Sequence, residues 1–109
     1  MDRKIVYEHI DTERVYQAAR WNERTTDTEV LHSVTEFLVY IQDYTNEALH
    51  LVTRTAEPKA KEEALHIVRK ITALGVACME QNGSFPRPQS EIEFHNILNN
   101  AIESVQMLK

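Results

Sequence analysis

The stretch VLHSVTEFLVYIQDYTNEALHL, residues 30–51, decides the fold class of this 109-residue chain. Its apolar side chains recur at alternating steps of four and three residues. They are Val30, Val34, Phe37, Ile41, Tyr44, Ala48 and Leu51. This spacing places them along one side of an α-helix. Because Leu31, Leu38 and Val52 widen the apolar side, we expect this helix to pack against two neighbours.

Glycine and proline are scarce along the whole chain, which contains 2 Gly and 3 Pro. Average usage gives about eight glycines and five prolines in a chain of this length. β-Sheet proteins need a turn every ~8 to 12 residues and usually build it from Gly, Pro, Asn or Asp. The sequence therefore predicts an all-α protein, organised as one four-helix bundle-like domain over residues 1–109.

Local signals place the four helices. Their approximate ranges are 2–21, 28–56, 58–82 and 90–108. Thr26 with Glu29 has the form of a capping box before the second helix, and Ser90 with Glu93 has the same form before the fourth. In this motif the hydroxyl and the carboxylate each satisfy a backbone N–H that the helix leaves unpaired.

The third helix has clear end signals, since Pro58 suits its first position and Gly83 suits the residue just past its end. Its second half, Ile71 to Met79, has Thr72 as its one polar side chain, so we expect it to be central or in a subunit interface. Gly75 inside this run predicts the close approach of another helix. Gly75→Leu is then expected to disrupt packing or assembly.

The last helix carries its own apolar seam with the same spacing. The seam comprises Phe94, Leu98, Ala101, Val105 and Leu108. It must pack either on the rest of the domain or on another subunit. The two seams and the central run together carry more apolar surface than a four-helix monomer easily buries. The sequence therefore predicts a homo-oligomer, a dimer or higher.

Charge and cysteine content narrow the partners and the compartment. The net charge is −5 and the 12 Lys and Arg are scattered, so most of the surface repels a phosphate backbone and we expect no nucleic-acid partner. No apolar stretch is long enough to span a bilayer, which predicts no membrane partner. Cys78 is the one cysteine, so we expect no internal disulfide, a core position for Cys78 and a cytoplasmic protein.

A polar sector on the second helix is one candidate site. Its members are His32, Glu36, Asp43, Glu47 and His50. Imidazoles and carboxylates at helical spacing can share a metal ion. The sector lies almost opposite the apolar seam, and the alternative is a solvated face.

The third helix offers a second candidate site, in which Arg69 and Lys70 clamp a phosphate or a carboxylate at the edge of the apolar run. The alternative is an exposed face on which Glu62 pairs with His66, and Glu63 lies near Lys70.

The first helix offers a third candidate site. Its members are Glu13, Arg14, Tyr16, Gln17, Arg20 and Trp21. Arg14, Gln17 and Trp21 follow each other at steps of three and four, with Arg20 beside them, so one face carries a cation, an amide and an aromatic plane. This combination can stack a base and hold a phosphate. The alternative is an ordinary helix end, with Trp21 in the core and Arg14 in an ion pair.

The segment ERVYQAARW, residues 13–21, resembles the first helix of small phage and prophage proteins related to the all-α nucleoside triphosphate pyrophosphohydrolases, the MazG-like superfamily. Residues 32–44 and 69–83 are similar to the two core helices of those proteins. The resemblance covers residues 1 to about 88. It implies a nucleotide-shaped pocket and, in the enzymes, magnesium beside the triphosphate.

The enzymes of that superfamily share the motifs Glu-x-x-Glu and Glu-x-x-Asp on successive helices. Glu36 stands at a first-motif position, but the residue three further on is Val39. Glu63 is followed three residues later by His66 in place of Asp. If the protein is catalytic, the resemblance implies an altered magnesium ligand set of Glu36, Glu63 and His66, although magnesium prefers several oxygen ligands.

Three functions are therefore open. The first is a non-hydrolytic binder of a nucleotide or a nucleotide-derived signal, such as a phage protein that sequesters an immune signal. The second is a magnesium-dependent nucleoside triphosphate pyrophosphohydrolase. The third is a structural helical oligomer that binds a protein partner. The expected ligand-binding residues of the first are Arg14, Gln17, Arg20, Trp21, Arg69 and Lys70.

Overall fold

The computed structural model describes residues 1–24 and 31–107, and within these ranges the chain is all-α, as predicted. The helices are α1 (Arg3–Arg24), α2 (Val34–Arg54), α3 (Pro58–Asn82) and α4 (Gln89–Met107). None of these helices is long and apolar enough to cross a membrane.

The second helix begins later than predicted, because Ser33 is its N-cap. The Ser33 hydroxyl accepts a hydrogen bond from the Glu36 backbone N–H at 3.1 Å, and the Glu36 carboxylate accepts one from the Ser33 N–H at 3.3 Å. This capping box leaves residues 31–33 outside the helix, so the predicted start at 28 is wrong for them. Thr26 and Glu29 lie outside the described residues, and their capping box stays a prediction.

The two ends of α3 are confirmed. Pro58 is in its first turn, and Gly83 follows it with a φ of 106°, donating its N–H to the Met79 carbonyl at 2.9 Å. A positive φ favours glycine, which lacks a Cβ. The structure therefore explains why one of the two glycines stands at this helix end.

The first and fourth helices differ from the predicted ranges. α1 continues to Arg24, three residues past the expected end, because the Glu and Arg of its last turn are good helix formers. α4 starts at Gln89, so Ser90 lies inside its first turn and is not the N-cap as predicted. The Pro88 carbonyl instead accepts hydrogen bonds from the N–H groups of Glu91 and Ile92.

The third helix lies between α1 and α2 and contacts both. Its buried Leu74 and Ala77 meet the fully buried ring of Phe37 from α2. Packed against this cluster are Trp21, Ile41, Tyr44 and Cys78. The predicted central position of the run from residue 71 to residue 79 is confirmed for Ala73, Leu74 and Ala77, whereas Met79 is exposed. Cys78 is half-buried and lies at the edge of the core, not inside it.

Within the described part of the chain, α4 packs against none of the other three helices. The radius of gyration is 19.0 Å, against about 13 Å for a compact domain of this length. Phe94 and Leu98 of the α4 seam are 65% and 45% exposed. Of the two predicted destinations of this seam, folding back on the domain is therefore wrong.

The prediction that another helix closely approaches Gly75 is also wrong, as far as the described residues show. A Cβ added to Gly75 would meet no atom within 4 Å, apart from its own helix and chain neighbours. The neighbouring helices contact α3 through the face that carries Ala73, Leu74 and Ala77, which are buried. Gly75 is only half-buried and lies off that face.

Candidate functional site

A cleft of about 500 Å³ opens where α1, α2 and α3 meet. Its lining residues are Glu13, Tyr16, Gln17, Arg20, Trp21, His32, Tyr40, Tyr44, Lys70 and Leu74. Small-molecule sites have volumes of about 300 to 1,000 Å³ and combine apolar and aromatic walls with a few polar groups. This cleft has the size and the composition of such a site.

Aromatic rings form much of the cleft wall, and His32 links them. Its ring lies edge-on to Trp21, with 5.4 Å between ring centroids, and edge-on to Tyr40, with 5.7 Å between centroids. Trp21 also packs near the buried Phe37, with 6.1 Å between the two ring centroids. The wall is therefore anchored in the hydrophobic core, which limits the orientations that its rings can take.

The C-terminal end of α3 holds the backbone of His32 in place. The His32 N–H donates to Gln81 Oε1 at 2.8 Å, and its carbonyl accepts from Asn82 Nδ2 at 3.1 Å. Its ring Nδ1 lies 2.8 Å from Glu36 Oε2. Two hydrogen bonds to the Glu36 carboxylate, the first from the His32 side chain and the second from the Ser33 backbone N–H, lower the pKa of Glu36 below its usual value.

The described lining of the cleft includes two basic side chains, Lys70 from α3 and Arg20 from α1. The Lys70 ammonium lies 5.9 Å from the ring centroid of Tyr44, and it has no ion-pair partner among the described residues. The cleft carboxylate, Glu13, accepts a hydrogen bond from Arg69 at 2.9 Å. Among the described lining residues, Glu13 is therefore paired with Arg69, and the Lys70 ammonium is left without a counter-ion.

The amide of Gln17 is fixed between α1 and α3. Its Nε2 donates to the Lys70 carbonyl at 3.2 Å. Its Oε1 is buried and has no hydrogen-bond partner among the described residues. Buried polar atoms are nearly always paired, so this acceptor is an exception among the described residues.

Four of the six predicted ligand-binding residues line the cleft, namely Gln17, Arg20, Trp21 and Lys70. The structure places the other two, Arg14 and Arg69, in ion pairs outside its lining. On α1, Gln17 and Trp21 thus line the cleft, whereas Arg14 is in an ion pair, as the alternative predicted.

Arg14 donates two hydrogen bonds to the Glu80 carboxylate, at 2.9 and 3.1 Å, and its guanidinium lies 5.7 Å from the Trp21 ring centroid. Arg69 binds Glu13 and also donates to His66 Nδ1 at 2.6 Å. The predicted clamp by Arg69 and Lys70 is therefore divided, since only Lys70 reaches the cleft. His66 binds Arg69 in place of its expected partner, Glu62.

The described residues contain no group of three or more His, Cys, Asp and Glu side chains placed to hold a metal ion. Glu36, Glu63 and His66 are thus not brought together as one ligand set. On the polar sector of α2, the members that lie in the helix are exposed, which agrees with a solvated face. His32, the remaining member, is half-buried in the aromatic wall.

Two of the cleft's tyrosines were not predicted to line a site. The spacing assigns Tyr44 to the apolar seam and gives Tyr40 no role. Tyr40 and Tyr44 are four residues apart and so share a helix face, the one signal that points to a common wall. The meeting of this face with α1 depends on tertiary packing that spacing does not encode.

No family model, curated protein or solved structure matches this chain.

Proposed function

We propose that the cleft between α1, α2 and α3 binds a small anionic ligand with a planar ring, of the nucleotide class, and does not hydrolyse it. The observation that carries the proposal is the juxtaposition of an aromatic wall with the Lys70 ammonium in one cleft of about 500 Å³. Bases stack on aromatic side chains, and phosphates pair with ammonium groups.

The aromatic wall favours a ligand that contains a ring. A nucleotide carries a planar base as well as phosphate, whereas inorganic phosphate carries no ring to meet the aromatic wall. The aromatic wall and the Lys70 ammonium together favour a nucleotide over a simple anion.

The resemblance to MazG-like proteins supports the same ligand class. Both acidic motifs of that superfamily are interrupted here, which favours binding without hydrolysis. Under this proposal the chain is a phage or prophage protein of the host cytoplasm, and it sequesters a nucleotide or a nucleotide-derived immune signal. Exposed apolar residues, such as Phe94 and Ile97, support a homo-oligomer as its working form.

A thermal-shift panel tests the proposal. The full chain is heated with nucleoside mono- and triphosphates and with linear and cyclic dinucleotides, each with and without magnesium chloride. A ligand at ten times its Kd stabilises the folded state by about 1.4 kcal/mol. That corresponds to a rise in Tm of roughly 5 to 10 °C for a domain of this size.

Lys70→Gln is expected to abolish the ligand-induced rise in Tm, while Lys61→Gln preserves it. Lys61 is the matched control because it lies on the same helix, is exposed and does not line the cleft. Tyr40→Leu is expected to weaken ligand binding, while Tyr7→Leu, at an exposed site on α1, leaves it unchanged.

The other two functions are outcomes of the same experiment. Pyrophosphate release that requires magnesium and is lost in Glu36→Gln overturns the non-hydrolytic proposal and favours the pyrophosphohydrolase. A panel in which no compound raises the Tm by even 1 °C overturns nucleotide binding and favours the structural oligomer that binds a protein partner.

A further inference from the structure

The fourth helix cannot be explained as part of the cleft or of the hydrophobic core. Residues 83–88, which include Pro86 and Pro88, carry it away from α1 to α3. The molecule extends 64 Å along its longest axis. α4 itself has 19 residues. In proteins, most of the stability of such a helix comes from packing its apolar face against another surface.

An apolar face runs along α4 and is open to solvent. Its large members are Phe94, Ile97, Leu98, Ile102 and Val105, which are between 45% and 69% exposed. The seam within it follows steps of four, three and four from Phe94 to Val105, the spacing that selects another helix of the same period as its partner.

From this face we infer that the chain pairs through α4 with α4 of a second copy, antiparallel, across a two-fold axis between Asn99 and Asn100. The inference deepens the proposed homo-oligomer by naming its surface, its partner and its orientation. In this register Phe94 meets the partner's Val105, and Leu98 meets the partner's Ala101. Each layer joins a larger side chain to a smaller one, which fills the seam evenly.

Shape disfavours the parallel arrangement, in which each residue faces its own copy. Two Ala101 side chains would then face each other and leave a gap in the seam. The antiparallel register removes this gap and aligns the helix dipoles favourably.

Light scattering coupled to size-exclusion chromatography of the full chain tests the interface. We expect a dimer for the natural sequence and a monomer for Leu98→Glu, with the dimer Kd raised at least about 100-fold, because an unpaired charge enters an apolar seam. Asn100→Glu is the matched control. It adds the same charge to the same helix outside the seam and is expected to remain dimeric.

Disulfide cross-linking tests the orientation. Leu98→Cys and Ala101→Cys are prepared separately in a Cys78→Ala background, one of them isotopically labelled. The antiparallel pair predicts a labelled–unlabelled disulfide in the mixture, with each variant alone cross-linking at least about tenfold less. Strong self-cross-linking of Leu98→Cys alone overturns the orientation.

The outcomes separate this inference from the proposed function. A dimer that persists in Leu98→Glu overturns the α4 interface but leaves the homo-oligomer standing. A monomeric natural chain overturns both. In either case the thermal-shift panel still reports on the cleft, because its lining residues all precede α4.

Discussion

Arg69 of α3 donates a hydrogen bond of 2.9 Å from Nε to Oε1 of Glu13 on α1, whose side chain is only 7% exposed. The arginine side chain is 32% exposed and so keeps partial contact with water. Because Glu13 lines the cleft, this ion pair joins two of the cleft's three helices along one edge. Its two partners are unequally buried, and their removal is therefore expected to have unequal effects.

Arg69→Met is expected to destabilise the fold more than Glu13→Gln. The first change leaves a buried carboxylate without its counter-charge and lowers the free energy of unfolding by about 2 kcal/mol, reduced from the fully buried case because Arg69 is partly solvated. The second leaves a partly hydrated guanidinium and costs about 1 kcal/mol. Urea unfolding of both variants measures the difference.

The double variant that combines Arg69→Met with Glu13→Gln is expected to be more stable than Arg69→Met alone, because the two residues form a coupled pair. Arg87→Met is the control, since the Arg87–Glu91 pair is exposed on both sides and contributes less than about 0.5 kcal/mol. Equal losses for Arg69→Met and Arg87→Met would contradict the special role of the interhelical pair.

Phe37→Ala is expected to lower the free energy of unfolding by about 3 to 5 kcal/mol. Its ring is 0% exposed and contacts Trp21 and Leu74, so truncation leaves a cavity in the centre of the core. Phe85→Ala is the control, because Phe85 is 92% exposed and its loss is expected to change stability by less than about 0.5 kcal/mol. Chemical denaturation followed by circular dichroism checks both values.

The helical class and the centre of the buried side of α2 follow from spacing alone. The wider apolar side does not, because Leu31, Leu38 and Val52 are 69%, 57% and 48% exposed, so the prediction that they pack against a second neighbour is wrong among the described residues. Phe37 and Ile41 belong to the predicted seam and pack in or against the core. Spacing is sufficient there because a helix face is defined by residues close in sequence. The same reasoning predicted the ends of α3, where Pro58 and Gly83 act through their own backbone restrictions.

The cleft was only partly predictable. Gln17 and Lys70 were expected to bind ligand and do line it, but Arg69 pairs with Glu13, 56 residues away in sequence. Long-range ion pairs depend on how α1 and α3 pack, which local patterns do not specify. The prediction of where α2 begins was wrong for a different reason. Two Ser/Thr-x-x-Glu patterns follow each other in the sequence, from Thr26 and from Ser33, and the helix begins at the second, which lies nearer to the buried seam.

Ser33→Ala is expected to destabilise the protein by about 1 kcal/mol, because it removes the hydroxyl that accepts the Glu36 N–H at the start of α2. Ser90→Ala is the matched control. Ser90 lies inside the first turn of α4, where alanine is the better helix former, so the change is expected to be neutral or slightly stabilising. Urea unfolding of both variants and of the natural chain measures the two changes in stability. A loss at Ser90 as large as that at Ser33 would contradict this assignment of the caps.

Glu36 predicts a dependence of stability on pH. Its pKa is lowered in the folded protein by the hydrogen bonds from His32 and the Ser33 backbone, so the ionised carboxylate favours folding. The contribution is fully present above its usual pKa of about 4.5 and is lost as the pH falls through the lower folded pKa. Urea midpoints at neutral pH and near pH 3 are expected to differ less in Glu36→Gln than in the natural chain. An unchanged difference would contradict a role for this carboxylate.

The two glycines predict effects of opposite sign when each is replaced by alanine. Gly75 lies inside α3 with open space where a Cβ would go, so Gly75→Ala is expected to stabilise the helix by about 0.5 to 1 kcal/mol. Gly83 has a φ of 106°, which a Cβ disfavours, so Gly83→Ala is expected to destabilise by about 1 kcal/mol or more. Thermal unfolding of both variants at one protein concentration measures the pair. If Gly75→Ala instead lowers the Tm and also weakens the dimer, a second copy contacts this part of α3, and the assembly involves more than α4.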